Sequence, residues 1–172
     1  MLEEESEHDK IRKLAVYKRA EEIRILVQKI SEVVDDELAK QSDRIEKEMA
    51  ESTLQDMIHN SYLLPVKIAG AEGCELYDLK MENAAIIRKA AREIKVGCTG
   101  LKMLGIEKSL DYLQILRDEI EVFRIEFAEW IKTFDVWDYI IDRWGLFNPP
   151  GINYDDKDPD DDLPFNPNDL EL

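Results

Sequence analysis

The 172-residue chain carries 39 acids against 23 bases, a formal net charge of −16, with 44% apolar residues. That size allows one domain with a core needing no disulfide or metal staple. The charge disfavours long-range attraction to phosphate backbones and anionic membranes, so direct nucleic-acid binding and lipid binding are not expected.

The charge is uneven along the chain. Residues 1–9 hold five acids and no base, and residues 148–172 hold eight acids and Lys157. The stretch between them is close to balanced. The expected organisation is an acidic, disordered N-terminus over 1–8, a four-helix bundle over 9–147, and an acidic, Pro-rich, disordered tail over 148–172. No signal-peptide pattern opens the chain and no apolar run is long enough to span a bilayer. Two cysteines, Cys74 and Cys98, flank an expected straight helix roughly 36 Å apart, beyond disulfide reach. A cytoplasmic location is expected.

The first helix is expected over Asp9–Leu38, where Val16, Ala20, Ile23, Val27, Ile30 and Val34 repeat at alternating spacings of four and three. Asp35, Asp36 and Glu37 oppose the macrodipole at its end, so its last turn should fray. A second helix starts with Ser42 as N-cap and contains Pro65, which should kink it. The third is expected over Leu76–Val96 with Gly97 as C-cap. Its wide alanine-rich arc includes Ala84, Ile87 and Ala91, and fits either the central helix of a monomeric bundle or a subunit interface.

The fourth helix begins near Ser109. Leu113, Leu116, Ile120, Phe123, Phe127, Trp130, Phe134, Trp137, Ile141 and Trp144 then keep the same alternation. One continuous helix over 109–144 would be about 54 Å long and overhang its neighbours. The alternative is a short fifth helix capped by Asp135 that folds back. An overhanging end would need a partner, which marks Trp137, Ile141, Trp144 and Phe147, with Ala84, Ile87 and Ala91, as candidate interface residues. Beyond Asn148-Pro149-Pro150-Gly151, Tyr154, Leu163 and Phe165 punctuate the acids, a pattern open to simple disorder or to a docking motif.

No motif carries chemistry. A di-iron bundle needs two Glu-x-x-His pairs, whereas the chain offers Glu5 with His8, and Asp56 with His59. Asp156, Asp158 and Asp160 resemble the start of a calcium loop, but Asp161 and Pro167 replace its Gly and Glu. Phosphate-loop, dinucleotide and nucleophile-elbow patterns are absent from the sequence. Neither an enzyme, a metal nor a cofactor is expected, and a metal-binding bundle enzyme is the weakest reading. Arg88, Lys89, Arg92 and Lys95 form the one local cationic cluster.

The run Leu64-Pro65-Val66-Lys67-Ile68-Ala69-Gly70-Ala71-Glu72-Gly73 resembles the Ser-Ile-Pro-x-Asn-Ile-Ala-Glu-Gly stretch of a bacterial four-helix-bundle family. That family is typified by rRNA intervening-sequence proteins and includes the accessory protein of diversity-generating retroelements. Val16-Tyr17-Lys18-Arg19-Ala20 through Ile30 and the helix order are similar as well, over residues 10–131. Pro65, Ile68, Ala69, Glu72 and Gly73 carry the motif; Lys67 replaces its Asn, and Gly70-Ala71 is inserted. The resemblance implies an antiparallel up-and-down bundle that forms homopentamers. For the retroelement relative it also implies a basic surface engaging nucleic acid and a reverse transcriptase. The expected function is a non-enzymatic, self-associating bundle acting through protein contacts, with a nucleic-acid-linked accessory role as the alternative.

Overall fold

The computed structural model describes residues 6–106 and 109–158. Within them the chain is all-helical and has no strand: α1 Glu7–Lys13, α2 Ala15–Leu38, α3 Arg44–Glu72, α4 Tyr77–Met103 and α5 Leu110–Ile131. The expected disorder of residues 1–5 and of the tail from 159 onward lies outside the described residues.

The first helix is two helices rather than one. Leu14 leaves the helical region (φ −60°, ψ 134°) and serves as C-cap of α1 and N-cap of α2. The physical cause is packing. Leu14 sits against the core, whereas α1 buries no residue and gains nothing by prolonging the seam. Along α2 every seam residue from Val16 to Val34 is buried, and the helix continues through Asp35–Glu37 to Leu38.

Asp43, not Ser42, caps α3. Its Oδ1 accepts from the backbone N–H groups of Ile45 (2.8 Å) and Glu46 (3.1 Å), and a carboxylate also complements the positive end of the dipole. Pro65 lies buried inside α3, where it cannot donate to the carbonyl one turn before it.

Gly97 is not a C-cap either. It lies buried within α4, which runs on to Met103. A Cβ built on Gly97 would stand 2.4 Å from Met57 Cγ and 2.6 Å from Met57 Sδ. The missing side chain is thus the socket for a methionine of α3, and glycine here serves close packing rather than chain reversal.

Each long helix packs on two others: α3 on α2 and α4, and α5 on α2 and α4. Their buried faces form one core with Ile23, Ile30, Leu54, Met57, Ile87, Ile94, Leu116 and Phe123 at its centre. Polar contacts mark how the helices register. Between α3 and α4, Thr53 lies against Gly100, Met57 against Gly97, Asn60 donates to Glu93 (3.0 Å), and Gly70 faces Asn83. Between α4 and α5, Lys95 pairs with Glu121 and Arg117 donates to Thr99 (2.8 Å).

Neither expected version of the last helix occurs. α5 ends at Ile131, and residues 132–158 run as turns without helix. Thr133 Oγ1 donates to the carbonyl of Trp130 (2.7 Å), taking up an acceptor at the helix end. The chain then tucks Phe134 under the bundle, edge-on to Trp130 at 4.8 Å. Asp135 accepts from Trp137 N–H (2.9 Å) but starts a turn only. A longer helix would leave Phe134 and Ile141 in solvent; turning back buries both.

Candidate functional site

Three places on this frame bring chemistry-bearing or apolar groups together. The first is the segment after α5. Tyr77 N–H donates to the carbonyl of Asp138 (2.6 Å), and Ile140 N–H to Asp78 Oδ1 (3.2 Å), so the segment is fastened to the start of α4. Lys80 lies over the Phe134 ring at 5.4 Å.

Further on, Asp142 organises a tight loop. Its Oδ1 accepts from Trp144 N–H (2.9 Å), and its Oδ2 from Leu146 (2.8 Å) and Phe147 (2.9 Å). Asn148 closes the loop by accepting from Asp142 N–H (2.7 Å) and donating to its carbonyl (2.9 Å). These N–H donors, that of Phe147 foremost, hold the Asp142 carboxyl below its usual range. Gly145 takes the left-handed backbone the turn requires (φ +72°). Arg143 donates to the carbonyls of Tyr154 (2.9 Å) and Asp156 (2.7 Å), pinning the next stretch.

Of the candidate interface residues, Ile141 is buried on the frame and Phe147 half-buried. Trp137 is 85% exposed and Trp144 91% exposed, with Leu146, Ile140 and Val136 exposed nearby in sequence. Ala84, Ile87 and Ala91 are buried within the single chain, on a helix flanked by both α3 and α5. That flanking accounts for the wide arc of α4 inside one molecule. Asp142 was missed in the sequence, although Asp142-x-x-Gly145 is a recognisable turn signal.

The second place is a cleft of about 670 Å³ between α3 and α4, lined by Asp56, His59, Asn60, Lys89, Glu93 and Gly97 among others. Asn60 donates to Glu93 (3.0 Å) and Lys89 pairs with it (3.7 Å), so the Glu93 carboxylate is already engaged. Among the described residues no three His, Cys, Asp or Glu side chains converge. Glu5 and Asp160, on which the other two metal patterns draw, lie outside those residues. Cys98 opens toward α5 beside Leu113 and Arg117, and burial pushes its thiol up to about 11. Both cysteines are free thiols.

The third place is an apolar groove of about 320 Å³ between α4 and α5, floored by Ala91, Ile120, Phe123, Phe127, Ala128 and Ile131. Arg88, Arg92, Lys95, Arg124 and Glu121 form its rim. Lys95 and Arg124 share Glu121, whose carboxyl they lower, Lys95 most. Among the described residues Arg88 and Arg92 have no acidic partner. Four cations therefore stand around one carboxylate, on a protein of net charge −16.

The family-motif residues lie at the end of α3. Pro65 and Ile68 are buried and Ala69 half-buried; Gly73 caps the helix through a bond to the Ala69 carbonyl (3.0 Å). Glu72 accepts a 2.6 Å hydrogen bond from Trp130 Nε1–H. Among the described residues no helix is long and apolar enough to cross a membrane. No known protein family, curated protein or solved structure matches this chain.

Proposed function

We propose that the four long helices form an antiparallel up-and-down bundle, bent at Pro65, and that this bundle self-associates and works through protein contacts without catalysis. Three short connections join consecutive long helices, which favours antiparallel neighbours. The α3–α4 partners run from Thr53 with Gly100 to Gly70 with Asn83, one number rising as the other falls. Lys95 with Glu121 and Thr99 with Arg117 follow the same rule. This helix order, with the Pro65–Gly73 motif, is also what supports kinship with the intervening-sequence family. A copy number of five rests on that kinship. The two free thiols support a cytoplasmic setting.

The observation that carries the self-association reading is the pair Trp137 and Trp144. Large indoles are costly to leave in water and are favoured anchors of protein interfaces. Here they stand on loops that Asp142, Asp78 and Tyr77 tie down, so a partner meets a preformed surface. Light scattering after gel filtration of the wild type and a Trp137→Ala/Trp144→Ala variant tests it. The wild type is expected as an oligomer and the variant at a lower mass.

A further inference from the structure

We propose that the groove between α4 and α5 is the docking site for the chain's own acidic segment, residues 159–172. The groove joins an apolar floor, with Phe127 half-buried, to a cationic rim in which Arg88 and Arg92 have no acidic partner among the described residues. Its occupant must therefore be both apolar and acidic. Residues 159–172 contain Asp160, Asp161, Asp162, Asp169 and Glu171, with Leu163, Phe165 and Leu170 between them and no base. The acids match the guanidinium groups in sign, and Arg is suited to paired contacts with carboxylates. The apolar residues match the floor.

Position and reach agree with this pairing. The segment after α5 is anchored beside Tyr77 and Asp78 at the start of α4, at the Arg88 end of the groove rather than the Lys95 end. Arg88 lies eleven residues along α4 from Tyr77, or about 17 Å, and the chain has fourteen residues beyond Asp158, an extended length of about 46 Å. Occupancy covers a cationic rim on this acidic protein, and so withholds it from other anionic partners.

A photocrosslinking residue at Phe165 in the full chain tests the proposal, with adducts mapped by mass spectrometry in species of single-chain mass. Adducts are expected on α4 and α5 around Arg88–Arg92 and Phe127–Ile131. Arg88→Glu/Arg92→Glu, both at exposed positions, should lower their yield by at least about threefold. Adding Asp160→Lys/Asp161→Lys/Asp162→Lys to that variant should restore it. Adducts elsewhere, or a yield unmoved by both sets of charge changes, would overturn the proposal. Adducts only in species of two-chain mass would overturn it in favour of a second copy's tail.

Discussion

Trp130 and Glu72 join the last turn of α5 to the last residue of α3: the indole N–H donates to the carboxylate at 2.6 Å. The two residues are 58 positions apart in sequence. The contact gives a buried indole its polar partner and places a motif residue in a structural role. Glu72→Ala leaves that N–H unpaired and should lower stability by about 1.5–3 kcal/mol, as expected for a hydrogen bond to a charged group. Glu72→Gln keeps an acceptor oxygen and should lose less. Urea unfolding of the three proteins at one pH checks the order.

The socket at Gly97 makes a second prediction. Gly97→Ala gains helix propensity of up to about 1 kcal/mol, but its methyl would stand 2.4 Å from Met57 Cγ. Overpacking a filled core typically costs about 1–3 kcal/mol, so the net effect should be destabilising. In a Met57→Ala background the methyl enters vacated space, and Gly97→Ala should become neutral or stabilising. A double-mutant cycle by thermal or urea unfolding reads the change of sign.

Thiol chemistry should separate the two cysteines. With its thiol pushed up to about 11, Cys98 is ionised at pH 8 to only about one part in a thousand, and it is buried besides. Cys74 is half-buried. A disulfide reagent at pH 8 should therefore modify one thiol per native chain and two after denaturation. Rapid modification of both thiols in the native protein would show that Cys98 is not packed as described.

The Asp142 loop should respond to acid in one direction. Its carboxyl is held down in the folded chain by N–H donors. The stabilisation is therefore complete above the ordinary carboxylate value and is lost as pH falls through the depressed one. The protection of the Trp144, Leu146 and Phe147 amides, relative to their intrinsic exchange rates, should fall in that acid window before α2–α5 open. In Asp142→Asn the three amides should exchange faster at neutral pH, and their acid-dependent step should disappear.

Much of the frame was legible because helical burial is a local repeat. The α2 seam reads directly from Val16 to Val34, and Leu113, Leu116, Ile120, Phe123 and Trp130 follow one buried face of α5. The errors came where a distant contact overrides the repeat. Trp137 and Trp144 keep the helical spacing, yet the chain turns at Thr133 because Phe134 and Ile141 gain more by folding back. Gly97 carries a helix-ending residue type, and only Met57, forty positions away, reveals it as a socket. The groove rim had a visible half in Arg88, Arg92 and Lys95; Arg124 and the Phe127 floor come from another helix, and no local pattern joins them.

The central claim, that this bundle self-associates through its fastened aromatic segment, is tested most directly by light scattering coupled to gel filtration across micromolar concentrations. The account predicts a mass that is a multiple of 20.1 kDa for the wild type and a reduced multiple for Trp137→Ala/Trp144→Ala. A wild type that remains at single-chain mass throughout that range would contradict it.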